Sequence, residues 1–576
     1  MLRLFLCQMN PTVGDIPGNA AKILDGLRKA RHWGAEIAVF PECALVGYPP
    51  EDLLFKAQFV RENLKALEEI REHTRGLTAV VGFVHREDDL YNAAAVLHDG
   101  ELRGVVKKAF LPNYGVFDED RYFQAGRETP VFRVGGRTFG VTICEDMWYP
   151  GGPARTQALQ GGAELLLNIS ASPYYAGKAK FRETMLATRA ADNACLLAFC
   201  NLVGGQDELV FDGNSLVFSP RGEVLARGLP FEEDTVVVDV DPAEVFNQRL
   251  RDPRRRVALR AETPALPLSE IVHLAEPPRA PKGPLPIRAV EGPGEEEEVY
   301  RALALGCRDY VRKNQFEKVL LGLSGGIDSA LTASIAVDAL GLDHVLGITM
   351  PSPYSSEGSV TDSLELARNL GIECRTVPIA PVFDAFLGTL APLFDGAPVG
   401  VAEENLQARI RGSILMALSN KFGWLLLSTG NKSETSVGYC TLYGDMAGGF
   451  DVLKDVPKTL VFRLAQWRNA AARRPWIPEA TLTKEPSAEL RPDQRDTDSL
   501  PAYELLDPIL EGYVEVDRSF ESLAAEFGVE VVSRVVALVD RNEYKRRQAP
   551  PGVKITPRAF GKDRRFPITN RWRESR

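Results

Sequence analysis

The chain is 576 residues long with a formal net charge of −10. That length exceeds what one hydrophobic core usually supports, so two domains are expected, and the acidic balance excludes the clustered Lys and Arg that a nucleic-acid backbone demands. Residues that are 45% hydrophobic and 25% charged are those of an ordinary soluble globular protein, and eight widely spaced Cys with no CxxC pair argue against disulfides or structural zinc and fit a reducing cytoplasm.

The first expected element is a buried strand, Leu2–Gln8. Its apolar run is too brief for a signal peptide or a membrane span, and it breaks at Asn10–Pro11. Strands then follow at Ala35–Phe40, Leu77–Val84, Ala93–Leu97, Gly140–Ile143, Leu165–Asn168 and Cys195–Cys200, with helices such as Asn19–Gly34 and Ala179–Asn193 between them. Asp99–Gly100 and Pro220–Arg221–Gly222 read as hairpin turns. This pattern predicts a mixed sheet with covering helices over residues 1–261. Residues 262–298 change character. Pro264, Pro267, Pro277, Pro278, Pro281, Pro284, Pro286 and Pro293 predict a semi-extended connector with neither helix nor strand, and Glu295–Glu298 the start of a solvated helix.

Over residues 299–576 the alternation is more regular. Strands at Val319–Leu323, Val345–Met350, Glu373–Val377 and Trp424–Leu427 are separated by helical runs, which predicts a doubly wound parallel sheet. Such sheets bind ligands at the carboxyl ends of their strands. Three polar turns fall at those ends: Ser324–Ser329 (SGGIDS), Met350–Pro351–Ser352 and Ser428–Glu434. SGGIDS lies between an apolar strand and an apolar helix, Ala330–Leu340. Successive backbone N–H groups at such a turn cradle an anion, glycines allow close approach, and Asp328 offers a hard oxygen suited to Mg²⁺. The loop has no Lys, so it is not the GxxxxGK[ST] phosphate loop. The hexapeptide resembles the signature of the PP-loop ATP pyrophosphatases, which cleave ATP to AMP and pyrophosphate. That resemblance leaves open whose carbonyl oxygen is adenylated.

In the first domain Cys144 ends an apolar strand in VTICEDMW, Glu42 ends another in AVFPEC, and Lys108 begins KAFLPNY. Acyl transfer by cysteine needs a thiolate, a proton shuttle and a stabiliser for the oxyanion. The six His of the chain mark no Cys–His pair. Together these motifs resemble the glutaminases of the nitrilase superfamily, whose fold is an αββα sandwich. The resemblance implies Cys144 as nucleophile, Glu42 as general base and Lys108 as the cation facing the charged intermediate, with Tyr114, Ser172 and Lys178 as glutamine contacts. A lysine near the thiol lowers its pKa and burial raises it. The other cysteines read as structural.

Further motifs lie in the second domain: ENLQARIRG from Glu404, with Asn405 and Arg409 four apart on one helix face, STGNKSE from Ser428, YGDMAGG from Tyr443, and EYKRRQ from Glu543. These resemble the NAD synthetases, and with the fused glutaminase the chain is similar to the glutamine-dependent NAD⁺ synthetase family. The resemblance implies ATP binding by Gly322, Leu323, Ser324, Gly325, Gly326, Ile327, Asp328, Ser329 and Thr429. It implies deamido-NAD⁺ binding by Asn405, Glu434 and Lys545, Mg²⁺ carboxylates at Asp328 and Glu434, and a homo-oligomer acting on small molecules. Lys458 reads either as a phosphate contact or as an exposed charge. Pro353 stands where many relatives carry a basic residue, so no phosphate contact is assigned there. Lys484–Pro501, charged and aperiodic, reads equally as a lid or as a solvated loop. Two alternatives stay open: another glutamine-fed PP-loop ligase, and an amidohydrolase whose second domain only senses adenine nucleotides.

Overall fold

A computed structural model describes the chain apart from residues 262–265, 277–281, 286–287, 289, 473, 493 and 573–576. Two compact units emerge, one of Met1–Gln206 with Val210–Pro293 and one of Gly294–Arg576 with Asp207–Leu209.

Apolar strands that alternate with helices gather the first unit into two sheets. One has six strands in the order Asp234–Val240, Leu2–Gln8, Ile37–Val39, Thr78–Arg86, Leu90–His98 and Glu101–Lys107. The other has seven, in the order Val224–Arg227, Leu216–Phe218, Leu196–Asn201, Leu165–Ser170, Arg137–Ile143, Thr129–Val134 and Leu268–Leu274. Leu4, Leu6, Val39, Val80 and Val96 of the first share one core with Phe139, Val141, Leu167 and Ala198 of the second, so the sheets stack face to face. Helices cover the outer faces. Met147, Ala154, Ala158, Leu186 and Ala190 pack on Leu166, Leu197 and Phe218. The result is the αββα sandwich.

The expected connector needs one correction. Leu268–Leu274 is a strand, parallel to Thr129–Val134 at the edge of the seven-stranded sheet. The run from Leu268 to Glu276 contains no proline, and an edge strand tolerates prolines at its flanks. Pro264, Pro277, Pro278, Pro281 and Pro286 lie outside the described residues. Glu295–Glu298 form the first turn of the helix Glu295–Lys313, where carboxylates favour the positive end of the helix.

The second unit holds a five-stranded, all-parallel sheet in the order Glu373–Thr376, Val345–Thr349, Val319–Gly322, Leu425–Ser428, Phe450–Asp451. The chain starts at the centre, winds to one edge, then returns to the other side of Val319–Gly322. The order therefore reverses between Val319–Gly322 and Leu425–Ser428, and a crevice opens at such a reversal. Helices cover both faces, with Ile410 and Leu415 packing on Leu320, Leu346 and Leu426 on one of them. The helix after the glycine turn spans Ile327–Leu340 and starts inside SGGIDS, three residues before its expected start at Ala330. A satellite helical core forms from Tyr503–Leu510, Phe520–Phe527 and Val529–Arg541.

Candidate active sites

Three strand ends of the first unit deliver Glu42, Lys108 and Cys144 to one buried centre. Cys144 follows Arg137–Ile143 and opens a 3-10 turn with φ of +43°, a left-handed elbow that lifts the thiol out of the sheet line. Gly82 is required beside Glu42, because a Cβ there would lie 2.1 Å from the Pro41 carbonyl oxygen. Lys108 Nζ donates to Glu42 Oε1 at 2.7 Å and to Glu119 Oε1 at 2.8 Å, with all three side chains buried. Glu42 Oε2 accepts from Ala171 N at 2.7 Å. Asp146 Oδ2 accepts from Ile143 N at 3.0 Å, and its Oδ1 accepts from Ala109 N and Phe110 N, each at 3.0 Å. That carboxylate fastens the cysteine elbow to the segment after Lys108, and burial pushes its pKa up to about 7.

Burial pushes the Cys144 thiol well above its ordinary value, Glu42 adds to the rise and Lys108 only opposes it. Burial pulls the Lys108 ammonium down, but Glu119 and Glu42 outweigh it and hold the charge. At rest Cys144 is thus held toward the thiol form.

Glu119 is absent from the sequence reading. It lies in Asp118–Glu119–Asp120, which reads as a solvated acidic run, yet its carboxylate is buried and also accepts from Tyr48 Oη at 2.8 Å. Among the expected glutamine contacts, Tyr114 is 58% exposed and its hydroxyl donates to Glu145, next to Cys144, at 3.0 Å. Ser172 is buried, held by Asn201 Oδ1 on its main-chain N at 2.9 Å. Lys178 is buried with its Nζ on the Pro173 carbonyl oxygen at 2.6 Å.

In the second unit a cavity of about 300 Å³ opens at the sheet's reversal point. Its walls include Gly322, Leu323, Ser324, Gly326, Ile327, Asp328, Ser329, Thr429 and Glu434, all expected from the sequence. Gly325 turns behind them with φ of +79°, where a Cβ would meet the Ser359 carbonyl oxygen at 2.5 Å. Ser329 Oγ bridges Ser324 N and the Gly326 carbonyl oxygen at 3.3 and 3.0 Å, which shapes the cradle. Asn431 caps the helix Lys432–Val437 by accepting from Glu434 N at 2.9 Å and donates to Asp328 Oδ1 at 2.9 Å.

Lys458 is only 2% exposed, which rules out the exposed reading. Its Nζ lies 2.5 Å from Asp328 Oδ2 and 3.0 Å from Glu434 Oε1. Burial pushes Glu434 up to about 7, against the pull of Lys458. Two hard carboxylates converging beside the phosphate cradle fit Mg²⁺, which takes one or two protein carboxylates and completes its shell with phosphate and water.

Asn405 and Lys545 are engaged outside the cavity lining. Asn405 Oδ1 accepts from Thr441 Oγ1 at 2.7 Å, and Lys545 Nζ donates to the Gly438 and Cys440 carbonyl oxygens at 2.7 and 2.8 Å. The face of the helix Val401–Phe422 that lines the cavity is Ala408, Arg411, Gly412 and Leu415, at helical spacing. Arg409 is exposed and donates to the Leu442 carbonyl oxygen. Arg411 is the cation on the cavity side, and the sequence reading missed it. The Lys484–Pro501 segment lines the cavity through Lys484, Glu489 and Asp496, and Glu489 accepts from Ser356 Oγ and Ser359 Oγ at 3.0 and 2.6 Å.

A thiol–carboxylate–lysine centre in an αββα sandwich defines a carbon–nitrogen hydrolase, and a glycine-turn cavity on a parallel sheet defines a nucleotide-using partner domain. The family models agree: "Carbon-nitrogen hydrolase" matches residues 3–249 and "NAD synthase" residues 299–549. The chain is 51% identical over its whole length to the glutamine-dependent NAD(+) synthetase of Thermotoga maritima, 99% of which is covered. It is 50% identical to the enzyme of that name from Aquifex aeolicus, over 99% of this chain and 100% of the relative. The solved structure of glutamine-dependent NAD+ synthetase from Acinetobacter baumannii in complex with ADP superposes over 100% of both chains with a TM-score of 0.75 at 40% identity. The chain belongs to the family of glutamine-dependent NAD⁺ synthetases.

Proposed function

We propose that the chain converts deamido-NAD⁺ to NAD⁺ with ammonia drawn from glutamine, by two linked reactions. The observation that carries this reading is the presence of both centres in one chain: a buried thiol with its own base and cation, and a phosphate cradle with two carboxylates. In the first reaction Cys144 attacks the glutamine carboxamide carbon while Glu42 takes the thiol proton. Lys108 supports the charge that develops on the carbonyl oxygen. Glu42 returns the proton to the departing ammonia, and water then frees glutamate from the thioester. Tyr114, Ser172 and Lys178 hold the glutamine, and Glu145, held by Tyr114, offers a carboxylate to its α-ammonium group.

In the second reaction the nicotinate carboxylate attacks the α-phosphorus of ATP, pyrophosphate leaves, and ammonia displaces AMP from the adenylate. Residues Gly322–Ser329 and Thr429 hold ATP, while Glu434 meets the dinucleotide from the cavity wall and Asn405 and Lys545 meet it from outside the lining. Asp328 and Glu434 would hold Mg²⁺, which when bound neutralises charge on the leaving pyrophosphate. Arg411, Lys458 and Lys484 supply further positive charge to the same cavity.

The subunit is read as part of a homo-oligomer. Val382, Phe386, Leu393, Val399, Val401 and Phe422 are exposed apolar side chains on and around the helices Ala380–Phe394 and Val401–Phe422, a surface that favours burial against another copy. The compartment is read as the cytoplasm, which the eight free cysteines support. The test of the two-centre reading is Cys144→Ala assayed with each nitrogen source. Synthesis from glutamine should vanish while synthesis from added ammonium persists, and loss of both would overturn separate centres.

A further inference from the structure

Asn92 takes no part in either reaction as described. It sits in the strand Leu90–His98, opposite Val84 of the neighbouring strand, with only 1% of its surface exposed. Its side chain nevertheless ties the glutaminase centre together. Nδ2 donates to Glu42 Oε1 at 2.7 Å and, at 3.4 Å, to Glu119 Oε2. Oδ1 accepts from Cys43 Sγ at 3.7 Å, and the main-chain oxygen accepts from Lys108 N at 2.8 Å. Four residues from three separate segments are thereby referred to one amide.

An amide donates from one end and accepts at the other, so its orientation carries information. The buried Cys43 thiol fixes that orientation by donating to Oδ1. Reversed, the oxygen would face two carboxylates. In the observed orientation Glu42 collects three donors at 2.7 Å: Lys108 Nζ, Asn92 Nδ2 and Ala171 N. Glu119 has Lys108 and Tyr48 at 2.8 Å and only the long contact from Asn92. The two carboxylates that share the Lys108 ammonium are therefore not equivalent, and the one held by three short donors is the more firmly fixed in place. Burial raises Glu119, and Glu42 adds to that rise.

We propose that Asn92, oriented by Cys43, is a positioning residue that holds the Glu42 carboxylate through Nδ2 on Oε1, so that Glu42 and not Glu119 receives the Cys144 proton. This rests on the glutaminase reading above. The groups facing Glu42 are Lys108 from its strand end, Glu119 and Tyr48 from the adjoining loops, Cys43 from its own turn, and Cys144 and Glu145 from the cysteine elbow. None of them supplies a neutral, directed donor in place of the Asn92 amide.

The test is the pH profile of glutamine hydrolysis by the full chain. Asn92→Ala removes one hydrogen bond to a charged group, so kcat should fall about 10- to 100-fold with KM for glutamine within about threefold. The acid limb of kcat/KM should move to higher pH by about one unit, since the charged form of the base loses a donor. Cys43→Ala should shift that limb in the same direction by less, and it carries the test if Asn92→Ala does not fold. Both variants should keep ammonia-dependent synthesis at the unsubstituted level. Acid limbs that coincide with the unsubstituted chain in both variants would overturn the role of Asn92. Glutamine hydrolysis that survives Cys144→Ala would instead overturn the glutaminase reading itself.

Discussion

The two centres solve opposite problems. The glutaminase centre is closed and internally satisfied, with Glu42, Lys108, Glu119 and Asn92 hydrogen-bonded to one another before any substrate arrives. The synthetase cavity is wide, and in it Lys458 spans Asp328 and Glu434, the groups assigned to the metal. The difference follows from the chemistry. The group cleaved in amide hydrolysis is a neutral carboxamide, so the protein must supply the charges around the reacting atoms, and it does so in a buried, preorganised set. Adenylation brings a highly charged nucleotide, so the protein supplies a receptive frame of main-chain donors, cations and carboxylates.

This contrast predicts separable failures. The largest is Asp328→Ala, which leaves Lys458 short of one carboxylate and removes one of the two carboxylates proposed for Mg²⁺. Synthesis with either nitrogen source should fall by about 10²- to 10³-fold, the scale for losing a preorganised electrostatic group. Glutamine hydrolysis should continue, and its joint loss would mean that the two centres are not separable. Next, Arg411→Ala removes a cavity cation while sparing the main-chain cradle. It should raise KM for ATP or deamido-NAD⁺ about 10- to 100-fold in steady-state kinetics, the worth of one hydrogen bond to a charged group. A variant with both KM values unchanged would remove Arg411 from the binding surface.

Two smaller effects sharpen the comparison. Gly325→Ala forces a positive-φ position and a contact with Ser359, so thermal unfolding should show a destabilisation of about 1–3 kcal/mol together with weaker ATP binding. An unshifted melting curve would mean that the loop relaxes without cost. In the first domain the resting thiol predicts that ultraviolet titration of the unsubstituted chain minus Cys144→Ala shows no thiolate step below pH 9, the ordinary thiol value that burial raises here. A step near neutrality would mean that Lys108 outweighs burial.

Much of both sites is legible in the chain because the chemistry sits at strand ends. Cys144, Glu42 and SGGIDS each follow an apolar run, and an apolar run followed by a polar residue reads as a strand reaching a surface. Glu119 is not legible, because its neighbours Asp118 and Asp120 make it look like solvated charge, and only Lys108 and Tyr48 reveal its burial. Arg411 was hidden by a choice of helix face. The spacing of Asn405 and Arg409 is helical and attractive, but the sheet packs against the face roughly 200° round, two residues on. The strand Leu268–Leu274 was hidden by prolines that flank it without entering it. Tertiary partners, which no local pattern encodes, decided all three cases.

The central claim is that nitrogen freed at Cys144 becomes the carboxamide nitrogen of NAD⁺ at the second centre. The most direct measurement supplies glutamine labelled at its side-chain amide nitrogen, with ATP, Mg²⁺, deamido-NAD⁺ and a large pool of unlabelled ammonium kept at a pH where little is free ammonia. The account predicts labelled nicotinamide in the product, formed in step with pyrophosphate release. NAD⁺ that carries only unlabelled nitrogen while labelled ammonia accumulates in solution would contradict it.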